Sequence, residues 1–149
     1  MSAQKWTAAL FSPTGGTAKV ARAILAGAGQ AGREIDLSLP VPAETIPPEE
    51  TLLAAAPVFG GHVPGAALER LAALKGQGGP AVAVVVYGNR AYEDALAEWK
   101  AALERAGFRV AAAGAFVAEH SIARSIAAGR PDGADVEQAG AFGRAAAEK

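Results

Sequence analysis

The sequence predicts one doubly wound α/β domain spanning residues 1–149, with a parallel five-stranded sheet covered by helices on both faces. Three observations predict it. Short apolar runs alternate along the chain with stretches of helical periodicity. Two of those runs stand out: 51–58 is apolar almost throughout, as a strand buried on both faces of a parallel sheet is, and 81–87 carries four valines. The length suits a single core that needs no covalent staples, and no repeat, linker or second domain interrupts it.

The elements follow in order. Residues 5–11 read as the first strand, a short apolar run that ends in turn residues. A helix begins at about Thr17, with Val20, Ala21, Ile24, Leu25 and Ala28 spaced for one buried face. It closes in Gly27-Ala-Gly-Gln-Ala-Gly32, which matches the letters of the dinucleotide fingerprint G-x-G-x-x-G. The match is spurious, because that fingerprint follows a strand and opens a helix, whereas this one ends a helix and precedes a strand. Its glycines read as a helix C-cap and turn. Residues 33–39 form the second strand. Pro40, Pro42, Pro47 and Pro48 then mark an extended loop that replaces a full helix or allows only a short one. Residues 51–58 are the third strand. Pro64 opens a helix whose buried residues are Ala67, Leu68, Leu71 and Leu74, and Gly76 to Pro80 breaks it. Residues 81–87, with four valines, are the fourth strand. Tyr92, Ala95, Leu96, Trp99, Leu103 and Ala106 trace an amphipathic helix stopped by Gly107. Residues 108–117 are the fifth strand, and residues 121–129 form a short helix or an ordered loop. The last helix starts in Arg130-Pro-Asp-Gly-Ala-Asp, with Asp132 as a plausible N-cap. Along it Val136, Ala139, Gly140 and Gly143 make a face of small residues.

Composition excludes several functions. With no cysteine there is no disulfide, thiolate zinc site, cysteine-ligated iron–sulfur cluster or cysteine nucleophile, and His62 and His120 are too few for a histidine-built metal site. Fourteen basic against fifteen acidic residues give a net charge of −1, and no basic stripe is present to hold nucleic acid. The mean hydropathy of +0.18 is raised by alanine, and no apolar run is long enough to span a membrane. No secretory leader pattern opens the chain, so the expected compartment is the cytoplasm.

Chemistry concentrates in three loops, each expected at the C-terminal end of a strand. The first is Phe11-Ser-Pro-Thr-Gly-Gly-Thr17. A strand–turn–helix passage of this kind aims backbone N–H groups at an anion. Gly15 and Gly16 allow close approach and positive φ, while Ser12, Thr14 and Thr17 add hydroxyl donors; Pro13 lies among them. The loop is too short, and lacks the lysine, to be the G-x-x-x-x-G-K-[ST] loop of triphosphate binders, and it suits a terminal phosphomonoester. An ordinary turn with a threonine cap would also carry these residues. Lys19, in the first helical turn, is a solvated lysine or a neighbour of that phosphate. The second loop, Pro57-Val-Phe-Gly-Gly-His-Val-Pro64, sets Phe59 before Gly60 and Gly61. Phe59 is either the wall of a flat-ring site or tucked into the core. The third loop is Tyr87-Gly-Asn-Arg-Ala-Tyr-Glu93, in which Tyr92 also fits the buried stripe of the helix that follows.

These loops, after the correct strands and in the correct order, resemble those of flavodoxins. The resemblance spans essentially the whole chain, and implies a three-layer sandwich with strand order 2-1-3-4-5. It is nearest to short flavodoxin-like domains with Pro-x-[Phe/Tyr]-Gly-Gly and Tyr-Gly-Asn-Arg-x-Tyr motifs, some of them fused to a cluster-binding ferredoxin segment. The runs at 118–121 and 130–132 look like that group too, while the absence of cysteine implies that any electron partner is a separate molecule. The resemblance implies FMN as cofactor. Its phosphate would lie on Ser12, Pro13, Thr14, Gly15, Gly16 and Thr17. Its ring would lie between Pro57, Val58, Phe59, Gly60 and Gly61 on one side and Tyr87, Gly88, Asn89, Arg90 and Tyr92 on the other. Tyr92 would stack on the isoalloxazine, Asn89 would meet the pyrimidine edge, and the Gly60–Gly61 peptide would turn a carbonyl toward flavin N5 on reduction. The implied activity is electron transfer between separate redox proteins, a reductase donor and an enzyme acceptor, by a monomer or weak dimer without catalytic or metal-ligating residues. This chain departs from the acidic surround of many flavodoxins: it is near neutrality and carries His62 and Arg90 within the flavin loops. The expectation is a less depressed second potential and weaker steering toward basic partners. His62 is an exposed loop histidine or a residue at the flavin rim, and His120 lies in the loop after the fifth strand.

Two readings from other classes remain. An FMN-dependent NAD(P)H:quinone-type reductase would share fold and cofactor but needs a substrate slot, and no insertion supplies one. A flavin-free interaction module would have the fold alone. A receiver domain is excluded because Ser12–Pro13 and Pro57 stand where it needs acids, and a serine hydrolase because G-x-S-x-G is absent.

Overall fold

The computed structural model describes residues 5–13, 15–30, 33–59, 61–87, 93–117 and 133–147. Along the chain lie β1 (Lys5–Leu10), α1 (Gly16–Gly27), β2 (Arg33–Asp36), β3 (Glu44–Ile46), β4 (Glu50–Pro57), α2 (Gly65–Leu71), β5 (Leu74–Gly76), β6 (Pro80–Tyr87), α3 (Glu93–Arg105), β7 (Arg109–Val117) and α4 (Gly133–Ala146). Five of the strands form one parallel sheet in the order β2-β1-β4-β6-β7, which is the expected 2-1-3-4-5.

Alternation along the central strands divides the core into two layers. Leu53 and Ala55 of β4 and Val82, Val84 and Val86 of β6 pack with Val20, Ile24 and Leu25 of α1 and Ala139 of α4. Leu52, Ala54, Ala83 and Val85 face the opposite side, with Leu71 of α2 and Ala95, Trp99 and Leu103 of α3. Each of these two strands thus buries both of its faces, which is why the runs 51–58 and 81–87 are almost entirely apolar.

Helix ends follow glycine chemistry. After α1, Gly29 has φ 73°, and the N–H of Gln30 bonds the Leu25 carbonyl at 2.9 Å while that of Gly29 bonds Ala26 at 3.1 Å. This is a Schellman closure, so the G-x-G-x-x-G letters do end a helix. Gly107, at φ 100°, closes α3 in the same way, with Phe108 N–H on the Leu103 carbonyl at 3.1 Å.

Several boundaries differ from expectation. Pro64 is the N-cap of α2 rather than its first residue, at φ −56° and ψ 138°. Leu74 is buried, but on β5, because α2 ends at Leu71. No helix lies between β2 and β4, as the prolines require, yet the segment contributes β3, which pairs in parallel with β5 as a separate two-stranded sheet. The segment at 121–129 and the expected cap Asp132 lie outside the described residues.

The edge strand β2 is tethered by charges. Arg22 of α1 holds Glu34 through two bonds of 3.0 and 2.9 Å, and Arg33 pairs in bidentate fashion with Glu44 of β3. The Arg22 bond holds the Glu34 carboxyl below the usual carboxylate range, and the Arg33 bond does the same for Glu44. Asp36 is also lowered, first by the Ser38 hydroxyl and then by the Ser38 N–H. A carboxyl depressed in the folded state contributes stability above its unfolded pKa and loses it as the pH falls. The melting temperature is therefore expected to stay level from neutrality down to about pH 5 and to fall below about pH 4. Because the pairs are exposed, the loss is small and salt weakens it further. Glu34→Gln measured in the same series should flatten the decline, and an unchanged profile in that variant would remove the tether from the account.

Candidate functional site

Sheet order brings the C-terminal ends of β1, β4 and β6 together at one edge. The chain turns outward from β1 to β2 and then crosses to β4 on the other side, so the switch point lies between β1 and β4. Pairing continues to the ends of the strands. Phe11 N–H bonds the Ala55 carbonyl at 3.0 Å and Val58 N–H bonds the Val86 carbonyl at 2.9 Å. The last residues of β1, β4 and β6 therefore stand side by side, with Phe11 and Val58 leaving the first two.

At the first loop, α1 starts from Gly15, whose φ of 91° is left-handed and open only to glycine without strain. Gly15 supplies no side-chain cap, and no acidic residue occupies the first turn. The positive end of the helix is thus left without an anionic partner from its own turn. The Ser12 hydroxyl accepts the Ala18 N–H at 2.9 Å and the Gly15 carbonyl takes that of Lys19. At the front of the helix, the N–H groups of Gly16 and Thr17 have no partner among the described residues. Having accepted one bond, the Ser12 hydroxyl still has its proton to donate. Pro13 is exposed and Gly16 half-buried, whereas Thr17 is only 4% exposed. A phosphate fits this arrangement through backbone donors, the Ser12 hydroxyl and the helix end.

The second loop is a tight turn. Phe59 and His62 exchange backbone bonds of 2.8 and 3.1 Å, and Gly61 at the third position has φ 86°. Turns with a positive φ there take glycine. Pro57 and Val58 are buried, and Val58 uses its N–H in the sheet, whereas Phe59 is half-buried. His62 is exposed, and its Nδ1 meets Glu98 Oε2 of α3 at 2.9 Å. The other oxygen of that carboxylate accepts the Val63 N–H at 3.0 Å. Sequence reasoning missed Glu98, which reads as a solvated position on the outer face of an amphipathic helix.

Of the third loop, Tyr87 is half-buried and packs against the core. Thr14, Gly60, Gly88, Asn89, Arg90, Tyr92 and His120 lie outside the described residues. A cleft of about 280 Å³ lies beside the first loop, on the β2 side of β1, lined by Ser12, Ala18, Arg22, Asp36 and Ser38. It shares Ser12 with that loop but is separate from the switch point. Among the described residues no group of histidine and carboxylate side chains has the makings of a metal site, and no helix is long and apolar enough to cross a membrane.

No family model and no curated protein matches the chain. Solved structures do. The flavodoxin, WrbA-like protein from Agrobacterium tumefaciens is similar with a TM-score of 0.66 at 14% identity, over 99% of this chain and 96% of that one. Oxidised Flavodoxin 1 from Bacillus cereus matches at 0.65 and 16%, over 97% of each chain. A flavodoxin from the domain Archaea matches at 0.61 and 16%, over 97% of this chain and 96% of that one. Sheet order and covered faces define a doubly wound α/β domain with its switch point between β1 and β4. Within that class the chain has the flavodoxin-like fold, over nearly its whole length.

Proposed function

We propose that this chain binds FMN at the switch point and carries electrons between separate redox proteins, a reductase that loads it and an enzyme that it serves. The observation that carries the reading is the open helix end at Gly15–Gly16, with no acid in its first turn, set across the β1–β4 pairing from the Phe59–His62 turn. FMN supplies the one- and two-electron chemistry when bound. The chain's part is to hold it. Backbone N–H groups of Gly16 and Thr17 and the Ser12 hydroxyl receive the phosphate, helped by Thr14. Phe59 and Tyr92 flank the ring and exclude water, Gly61 gives the turn its shape, and Asn89 meets the pyrimidine edge. The flavodoxin neighbours support the reading through the fold they share with this chain.

Titration of the purified protein with FMN and with riboflavin, followed by flavin fluorescence, tests it. A phosphate gripped by charge-assisted bonds of about 1.5–3 kcal/mol each should make FMN at least about a hundredfold tighter than riboflavin. Ser12→Ala removes one hydroxyl donor and is expected to weaken FMN about tenfold while leaving riboflavin unchanged. Equal affinity for the two flavins would take the phosphate off the loop. Absence of binding at micromolar flavin would end the FMN reading, and rapid NAD(P)H–quinone turnover by the flavin-loaded protein would replace the carrier with a reductase.

A further inference from the structure

Glu98 joins parts of the molecule that are distant in sequence. Its carboxylate spans the end of the Phe59–His62 turn, taking the Val63 N–H at 3.0 Å on one oxygen and His62 Nδ1 at 2.9 Å on the other. An oxygen of an ionised carboxylate only accepts, so His62 presents its proton at Nδ1. The carboxylate is not free to follow a moving turn. It stands on α3 between Ala95 and Trp99, neither of which is exposed at all, and the Trp99 indole N–H is bonded to the Ala54 carbonyl of β4 at 2.8 Å. β4 is the strand that leads into the turn. Glu98 therefore ties the far end of the turn to a helix that is itself fixed to the strand before it, closing a ring of contacts: Ala54, Trp99, Glu98, Val63, and back through the turn.

A second consequence comes from connectivity. α3 starts at Glu93, directly after the third loop, and Glu98 follows five residues later. The helix that leaves one expected flavin loop thus grips the other. Resting on the FMN reading above, we infer that Glu98 is a positioning residue. It sets the conformation of the Phe59–His62 turn by holding its far end to α3. In its absence the turn keeps its own backbone bonds but loses its anchor on α3, and the position of Phe59 as a wall for the ring shifts.

Two substitutions separate positioning from charge and from general stability. Glu98→Ala removes both contacts and, since alanine is the best helix former, leaves α3 no weaker. Glu98→Gln retains a carbonyl oxygen for the Val63 N–H and an amide donor for the other His62 tautomer. Hydrogen exchange at the Val63 amide is read in the protein without flavin, and FMN affinity and the visible circular dichroism of the bound flavin are read in the loaded protein. Expected for Glu98→Ala is Val63 exchange faster by about tenfold, FMN weaker by about tenfold and an altered dichroism band, with Glu98→Gln within about threefold of the parent on each. Parent-like exchange and affinity in Glu98→Ala would overturn the proposal. So would an equal loss of affinity in both variants, because the effect would then belong to the charge. If the parent protein binds no FMN, the functional reading falls and with it the role toward a ring, while Val63 exchange still decides whether Glu98 anchors the turn.

Discussion

Replacement of Gly143 by alanine is expected to lower the unfolding free energy by about 2 kcal/mol or more and the melting temperature by about 4–8 °C. α1 and α4 cross with their backbones in contact. A Cβ on Gly143 would stand 2.0 Å from the Ile24 carbonyl oxygen and 3.1 Å from the Ala28 nitrogen. A Cβ on Gly27 would stand 1.9 Å from the Gly140 carbonyl oxygen. Those neighbours are helix backbone, so relief requires the two helices to part, and parting opens the layer that Ile24, Leu25 and Ala139 fill. Alanine would gain about 1 kcal/mol of helix propensity over glycine, which offsets only part of this. Gly140, one turn away, is the internal control. Its Cβ would meet the Ala23 carbonyl oxygen at 3.8 Å, an ordinary contact, so Gly140→Ala is expected to be neutral or stabilising by up to about 1 kcal/mol. Urea melts of the two variants check the pair, and equal stability of both would refute backbone contact at the crossing.

That contrast marks how far the sequence is legible. A face of small residues at Ala139, Gly140 and Gly143 shows from spacing that α4 lies close to something. Which glycine meets backbone depends on the crossing, and nothing local distinguishes two glycines one turn apart. The central strands β4 and β6 were legible because burial on both faces leaves runs such as Thr51–Val58 with almost no polar residue. β3 and β5 were not: three residues are too few for a period, and β5 ends at the glycine that reads as a breaker. What keeps it a strand is tertiary, since Gly76 and Gly107 approach so closely that a Cβ on either would lie within 2.8 Å of the other's carbonyl oxygen. Of the loop residues, Gly15 and Gly61 were legible because turn chemistry selects glycine where φ is positive. The contact of Ser12 with the Ala18 N–H, six residues on, and the reach of Glu98 to Val63, thirty-five residues back, arise from where the chain folds and leave no mark on residue type.

Trp99 is expected to be the residue whose truncation the protein tolerates least. Its side chain has no exposure, it fills the layer between α3 and the sheet, and its Nε1–H donates to the Ala54 carbonyl at 2.8 Å in the strand that leads to the Phe59 turn. Trp99→Ala opens a cavity and is expected to cost about 3–5 kcal/mol, a large share of the roughly 5–15 kcal/mol that holds a domain of ordinary stability. Trp99→Phe separates packing from hydrogen bonding. A smaller ring stays in the layer but has no donor, and a loss of about 2 kcal/mol is expected, about half of it from the missing bond. Urea melts followed by far-ultraviolet circular dichroism measure both, since Trp6, buried at 3% exposure, keeps its own emission and would confuse a fluorescence melt. The functional consequence should appear in Trp99→Phe under conditions where it is fully folded. With α3 no longer bonded to β4, the carboxylate of Glu98 loses its fixed base, and exchange at the Val63 amide should rise even though the lost hydrogen bond lies at Ala54, outside the turn. Stability within about 0.5 kcal/mol of the parent would remove the indole–carbonyl bond as an anchor, whereas a stability loss with unchanged Val63 exchange would show that the turn is held independently of the strand beneath it.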